Sequence, residues 1–142
     1  MGLILQLNYV KNLKNSLVEC DKTIFLVLYN YIEIAMSDLD QNIWKSKLKS
    51  EKDFQIIDVR TPEEYEDLRI PNSINIDFYN PGDFMQKLHE LDKNQSYYVY
   101  CRTGSRSANT CELMKEMGFT NSYNLLGGIT EWKGEVEGQS IS

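Results

Sequence analysis

The stretch VYCRTGSRS, residues 99–107, is the most informative part of this chain. An apolar, β-prone run ends in Cys101, a tight polar loop with a glycine and two arginines follows, and a helical pattern starts at once. A cysteine that ends a strand, next to a helix N-terminus and two guanidinium groups, lies where a thiolate is stabilised. We therefore predict that Cys101 is a nucleophile rather than a small buried hydrophobic residue.

The loop after this cysteine has the composition of an anion site. Gly104 supplies the backbone freedom for a tight curl, so that successive backbone N–H groups can point inward. The dipole of the following helix adds to their field, and it favours a thiolate with a lowered pKa. The predicted anion-binding loop consists of Arg102, Thr103, Gly104, Ser105 and Arg106, with full positive charges on the two arginines.

Length, charge and cysteine content restrict the class of protein. The chain has 142 residues, enough for one domain with a core. Its formal net charge of -6 disfavours a nucleic-acid partner, because neutralising phosphates requires clustered Lys and Arg. Three cysteines without a C-x-x-C pair and a single histidine predict no metal site. An unpaired functional thiol fits a reducing, cytoplasmic location, and no apolar run is long enough to predict a membrane span.

Residues 1–35 differ in character from the rest of the chain. Three explanations remain open: a signal peptide, here interrupted by acidic residues; an extra helix or strand; or an extension upstream of a natural start at Met36. Ser37 directly after Met36 is typical of a helix cap, which favours the third explanation. The expected organisation is an extension over 1–35, a domain over 36–134 and a polar, frayed tail over 135–142.

Helical and extended patterns alternate along the remainder. Thr61, Pro62 and Glu64 form a capping-box pattern at a helix start. The alternation predicts an α/β domain with a central parallel sheet of four to five strands flanked by helices on both faces. Cys101 then lies at the carboxyl end of a strand, where ligands bind in open parallel sheets. The predicted helices cover 37–50, 61–68, 80–91, 107–117 and a short segment after 127, and the predicted strands cover 54–59, 73–76, 96–100 and 122–125.

Four segments in register resemble the rhodanese-like family of sulfurtransferases, over residues 37–133. They are IDVR with PEEY (57–60 and 62–65), IPNSINI (70–76), CRTGSRS (101–107) and LGGI with EW (126–129 and 131–132). The resemblance implies the rhodanese-like fold without a metal or organic cofactor. It also implies that Cys101 attacks the outer sulfur of a donor such as thiosulfate and becomes a persulfide. A thiol or protein acceptor, or cyanide, then takes that sulfur.

Two rival functions remain open on the same fold. The first is a persulfide relay or protein-interaction module with little activity on free thiosulfate. The second is an arsenate or phosphate enzyme. Only four residues separate Cys101 from Arg106, one fewer than in the related dual-specificity phosphatases, and this tighter ring suits a single sulfur atom better.

Asp58 and Arg60 have two interpretations. In the first they form a structural ion pair that fixes the first strand of the family motif. In the second, Asp58 shapes the catalytic loop from a neighbouring strand end. The chain also departs from the family pattern, with Arg69 where a histidine is frequent and Asn72 where a glycine is frequent. We expect Arg69 to add charge at the pocket rim and Asn72 to keep a left-handed turn.

Two further groups are interpreted as structural. Cys111 lies on the helix after the loop at an apolar helical spacing, which predicts a core residue rather than a second reactive thiol. The acidic cluster of Glu63, Glu64, Glu66 and Asp67 is interpreted as a solvated helix face.

Overall fold

The computed structural model of the protein describes residues 22–141, apart from the side chains of residues 30 and 33–35. Predictions about residues 1–21 lie outside these described residues. The chain divides into two compact units, Met1–Met36 and Ser37–Ser142. The elements are α1 (Lys22–Ser37), β1 (Asp38–Leu39), α2 (Gln41–Ser50), β2 (Phe54–Asp58), α3 (Pro62–Asp67), β3 (Ser73–Asn75), α4 (Pro81–Glu90), β4 (Ser96–Tyr100), α5 (Ser105–Glu116), β5 (Asn121–Leu125), α6 (Gly128–Glu131) and a 3-10 turn (Gln139–Ile141).

The helix cap expected at Ser37 is wrong. Helix α1 continues through Ser37, and the next two residues form β1, which pairs with the end of β5. Helix α2 begins only after Asp40, whose carboxylate accepts hydrogen bonds from the backbone N–H groups of Asn42 and Ile43. Pairing with β5 thus overrides the local cap signal. Within the described part of the chain, no helix is both long and apolar enough to cross a bilayer.

The five strands form one parallel sheet in the order β1-β5-β4-β2-β3. Strand β4 lies at the centre, and all five of its residues are buried. Its last residue, Tyr100, pairs with Asp58 at the end of β2, so the carboxyl ends of both strands meet at one edge. Because both faces of a parallel sheet are covered, the central strand carries large side chains continuously instead of alternating with polar ones.

Helices cover both faces of the sheet, as the alternating pattern predicts. Successive residues of β4 contribute to different sides: Tyr97 and Val99 belong to one core cluster, and Tyr98 and Tyr100 to the other. This alternation follows from the two-residue period of a strand. The first cluster includes side chains of α4 and α5, whereas the second includes Trp44 of α2.

The helices around the loop begin where local signals place them, with one shift. The capping box of α3 is formed as predicted, because Thr61 accepts from the Glu64 amide and Glu64 accepts from the Thr61 amide. Helix α5 begins at Ser105, two residues earlier than predicted. The preceding Gly104 has φ 106°, a left-handed conformation that turns the chain directly into the helix.

The tail is ordered rather than frayed, at least as far as residue 141. Arg69 and Glu137 form an antiparallel bridge, with N···O distances of 2.8 and 2.9 Å between their backbones. Their side chains also form an ion pair, at 3.1 Å. A polar composition therefore does not prevent ordering here, because the backbone finds partners next to α3.

Candidate active site

Cys101 follows β4 at the carboxyl edge of the sheet and is only 1% exposed. Its Sγ accepts a hydrogen bond from the backbone N–H of Gly104 at 3.1 Å and another from the hydroxyl of Ser107 at 3.2 Å. The sulfur is therefore buried, and donors of the following loop and helix turn toward it. The Ser107 hydroxyl escaped the sequence analysis, although its place in the first turn of the helix after the loop is a usable signal.

Opposing effects act on the pKa of the Cys101 thiol. Burial raises it, because a charged thiolate loses hydration. Hydrogen bonds from the Ser107 side chain and from the backbone N–H groups of Ser107, Gly104 and Thr103 lower it, and together they prevail. The resulting pKa lies below the ordinary value, so the site stabilises the thiolate relative to that of an ordinary cysteine. The N-terminus of the 12-residue helix α5 adds its positive end to the same region.

The short helix α6 holds the backbone of the loop from the outside. The N–H groups of Ile129 and Thr130 donate to the carbonyl oxygens of Cys101 and Arg102 at 3.0 and 3.1 Å. The Thr130 hydroxyl donates to the same Arg102 oxygen at 2.7 Å. Gly128 makes this approach possible, since a Cβ there would lie 2.4 Å from the Arg102 carbonyl oxygen. Fixing these carbonyls outward leaves the loop amides free to turn toward the sulfur.

A buried asparagine on β5 supports the loop from below. The side-chain amide of Asn124 donates to the Gly104 carbonyl oxygen at 3.2 Å and to the Asp38 carboxylate at 2.8 Å. Asn124 is 1% exposed, and its Oδ1 is buried with no hydrogen-bond partner among the described residues. Gly104 is thus held through its carbonyl while its N–H binds the sulfur. A polar residue directly before the apolar end of the predicted strand was the sequence signal for this role.

The two arginines of the loop differ in their surroundings. Arg102 is exposed, whereas the guanidinium of Arg106 forms a bidentate ion pair with Glu64, at 3.0 and 3.1 Å. The same guanidinium lies 5.2 Å from the centre of the Tyr79 ring. Arg106 therefore does not offer a free positive charge, and the interpretation of Glu64 as a solvated side chain is wrong. Its capping-box position fixes the carboxylate where Arg106 meets it.

Asp58 and Arg60 form a buried ion pair at 2.7 Å. The Asp58 carboxylate accepts from the backbone N–H, Nε and Nη2 of Arg60, which also donates to the carbonyl oxygen of Leu68 after α3. The Asn75 side chain donates to the carbonyls of both residues. These contacts tie the end of β2 to β3 and α3, in keeping with the structural interpretation of the pair.

Two departures from the family pattern have clear structural consequences. Asn72 has φ 63° and keeps the left-handed turn that its small polar side chain tolerates. Arg69 pairs with Glu137 and lies 4.9 Å from the Tyr65 ring centre, so its charge is engaged by the tail and not offered at the rim of a pocket.

Cys111 is a core residue, as its spacing predicts. It is 2% exposed, and burial raises the pKa of its thiol to about 12. Both cysteines in the described region are free thiols. Within residues 22–141, no cluster of His, Cys, Asp and Glu could hold a metal ion.

Comparison with known sequences identifies the family. The family description "Rhodanese-like domain" matches residues 37–135, and the chain belongs to that family. The chain is 37% identical over 93 residues to YtwF of Bacillus subtilis, whose sulfurtransferase name is provisional; the match covers 66% of this chain and 86% of YtwF. It is 31% identical to YrkF of the same organism, provisionally named a sulfur carrier protein, covering 72% of this chain but only 54% of YrkF.

Solved structures share the fold. A rhodanese-like domain protein from Staphylococcus aureus superimposes with a TM-score of 0.62 at 33% identity, covering 73% of this chain and 99% of that one. A rhodanese-like domain from Anabaena gives a TM-score of 0.65 at 27% identity, covering 75% and 82% of the two chains. The parallel α/β sheet predicted from the sequence is therefore the rhodanese-like fold.

Proposed function

We propose that the protein is a sulfurtransferase that carries a sulfane sulfur as a persulfide on Cys101. The observation that supports this most is the pair of hydrogen bonds that the Cys101 sulfur accepts from Gly104 and Ser107. Groups that stabilise a thiolate also stabilise the terminal charge of a persulfide close by. The loop of Arg102, Thr103, Gly104, Ser105 and Arg106 forms the wall of this site, and Asp58 and Arg60 support it through the end of β2.

The reaction takes place in two displacements. The Cys101 thiolate attacks the outer sulfur of thiosulfate, a new S–S bond forms, and the S–S bond of thiosulfate breaks with its electron pair leaving on sulfite. A nucleophilic acceptor, which is a thiol, a protein thiol or cyanide, then attacks the terminal sulfur of the persulfide. That S–S bond breaks, and the Cys101 thiolate is regenerated. Neither step needs a metal, an organic cofactor or an outside oxidant.

Similar proteins support the class of reaction. The chain is 31% identical to thiosulfate sulfurtransferase GlpE of Coxiella burnetii over 87 residues, covering 61% of this chain and 78% of GlpE. The free thiols Cys101 and Cys111 fit a reducing compartment such as the cytoplasm.

A persulfide relay is the second candidate function, and one observation favours it. Cys101 is 1% exposed, so a small free donor meets little of its surface. A protein partner that docks over the loop supplies binding energy for opening that surface, which a small molecule does not. The carrier name of YrkF points to the same possibility.

Intact-mass analysis after exposure to thiosulfate tests the proposal. We expect a gain of one sulfur atom, removable by a thiol reductant and mapped to Cys101. Cys101→Ser abolishes the gain, and the matched control Cys111→Ser keeps it. A gain with protein persulfide donors but not with thiosulfate identifies the relay function. If no donor adds sulfur to Cys101, or if Cys101→Ser still transfers sulfur, the proposal fails; hydrolysis of an aryl phosphate would indicate a phosphate enzyme instead.

A further inference from the structure

Arg106 interacts electrostatically with the Cys101 thiol and forms an ion pair with Glu64, while the hydrogen bonds to the sulfur come from Gly104 and Ser107. Arg106 directs two nitrogens at the two oxygens of one carboxylate, in the fork geometry by which guanidinium groups also bind sulfonates and phosphates. Its side chain is 13% exposed and that of Glu64 is 28% exposed, so the pair is only partly screened by water. A carboxylate of the protein thus occupies these two guanidinium nitrogens, which are then not available to another anion.

Glu64 is held in this position from its own side. Its Oε2 accepts from the Thr61 backbone N–H at 2.9 Å as well as from Arg106 at 3.0 Å. The Glu64 amide in turn donates to the Thr61 hydroxyl. On the other side, the Arg106 guanidinium lies against the Tyr79 ring. The helix cap therefore directs the Glu64 carboxylate toward Arg106, and the opposite charges of the two side chains neutralise each other next to the loop.

We infer that Glu64 is a specificity-determining residue: by occupying the Arg106 guanidinium, it disfavours small dianionic donors such as thiosulfate relative to singly charged persulfide donors. This inference rests on the proposed function and narrows its donor class. The titratable groups that act on Arg106 include Glu64, the Cys101 thiol and Tyr79, and of these Glu64 forms the bidentate ion pair. In this arrangement Glu64 acts on the site by neutralising the charge of Arg106.

Glu64→Gln is the sharpest variant for a test. A glutamine at this place still accepts from the Thr61 amide, so the capping box survives while the charge is lost. Glu63→Gln is the matched control, since Glu63 is the preceding residue of the same helix and is exposed. We expect Glu64→Gln to lower KM for thiosulfate by roughly threefold or more, with a smaller change for a singly charged alkyl persulfide. The salt dependence of the thiosulfate KM should steepen, because an uncompensated guanidinium then attracts the donor.

A second measurement is independent of sulfur transfer. The test is the rate of Cys101 alkylation by anionic iodoacetate divided by the rate with neutral iodoacetamide. The thiolate fraction affects both rates equally, so the ratio reports the electrostatic potential at Cys101. Mapping by peptide mass restricts the rates to Cys101. We expect this ratio to rise by roughly threefold in Glu64→Gln, to fall in Arg106→Gln and to return near the wild-type value when both changes are combined. Glu63→Gln should leave it unchanged.

The outcomes separate the two proposals. A wild-type protein that accepts no sulfur, but whose variants show the expected alkylation ratios, overturns the function and leaves the electrostatic role of Glu64 in place. A wild-type protein that transfers sulfur, with a Glu64→Gln ratio and KM equal to those of Glu63→Gln, overturns the inference. A higher KM for thiosulfate in Glu64→Gln also overturns it, because Glu64 would then be orienting Arg106 toward the donor.

Discussion

The two buried cysteines of this domain have almost the same exposure and opposite chemistry. Cys101 is 1% exposed and Cys111 is 2% exposed, yet the thiol pKa falls at the first and rises to about 12 at the second. Burial disfavours the thiolate at both positions. The difference comes from the donors. A hydroxyl and several backbone N–H groups face the Cys101 sulfur, whereas the Cys111 thiol lies inside a formed helix in a hydrophobic core cluster and only the Ser122 hydroxyl lowers its pKa.

Burial is therefore a poor guide to the reactivity of a cysteine. A helix interior leaves no backbone N–H available, because each one is already bonded to a carbonyl four residues earlier. A loop at a helix N-terminus has N–H groups without such partners. The same low-dielectric surroundings that penalise the Cys111 thiolate strengthen the hydrogen bonds to the Cys101 thiolate.

The largest expected effect is in chemical labelling of the native protein. At about pH 8, iodoacetamide should alkylate Cys101 about a thousandfold faster than Cys111 or more, because the thiolate fractions differ by that factor. Peptide mass analysis over time measures both rates in one sample. In the urea-unfolded protein the two rates should become similar, and equal rates in the native protein would contradict the comparison.

The next-largest effect concerns Gly128, where α6 contacts the backbone of the loop after Cys101. Gly128→Ala places a Cβ 2.4 Å from the Arg102 carbonyl oxygen at a residue with φ 59°, and should cost about 3 kcal/mol of unfolding free energy. Urea denaturation measures this loss. Gly82→Ala is the matched control, since a Cβ there meets nothing within 4 Å, and its stability should be unchanged or slightly higher.

In Gly128→Ala we also expect alkylation of Cys101 to slow under native conditions, while that of Cys111 stays as slow as before. A variant of unchanged stability would show that the contact between α6 and the loop does not hold the loop in place.

At alkaline pH the two cysteines should have different effects on the free energy of unfolding. Folding raises the pKa of the Cys111 thiol from near 9 in the unfolded state to about 12 in the folded state. The protonated thiol therefore contributes stability below about pH 9, and this contribution is lost as the pH rises toward about 12. Between about pH 9 and about pH 10.5, the free energy of unfolding of the wild-type protein should fall by about 2 kcal/mol relative to Cys111→Ser. Urea unfolding curves of the wild type and the variants at each pH test this. Cys101→Ser should gain no unfolding free energy relative to the wild type as the pH rises, because folding lowers the Cys101 pKa.

The smallest expected effect is the loss of one donor. Ser107→Ala removes the hydroxyl that lies 3.2 Å from the Cys101 sulfur and should raise the Cys101 pKa. The pH dependence of alkylation measures this shift. Ser105→Ala is the control, since Ser105 is exposed in the same turn of α5, and its pH profile should match the wild type. An unshifted Ser107→Ala profile would assign the lowered pKa to the backbone N–H groups alone.

Local patterns predicted most of the elements because their signals lie within a few residues. The capping box at Thr61 and Glu64 formed as expected, and Asn72 adopted the left-handed turn. Local signals failed where a distant strand competed for the backbone, as at Ser37, where pairing with β5 converted an expected helix cap into the approach to β1. The tail was mispredicted for the same reason, since its partner Arg69 is far away in sequence.

The sequence by itself determined that Cys101 comes directly after a strand, that a glycine-containing loop follows, and that the fold is a parallel α/β sheet. These features depend on periodicity and backbone preferences close in the chain. Only the tertiary structure decided what surrounds the loop. Asn124 comes from β5 and Glu64 from α3, so their hydrogen bonds to Gly104 and Arg106 depend on the packing of elements distant in sequence. An arginine in a sequence has a charge, but whether that charge is free or neutralised depends on which carboxylate the fold places within 3 Å of it.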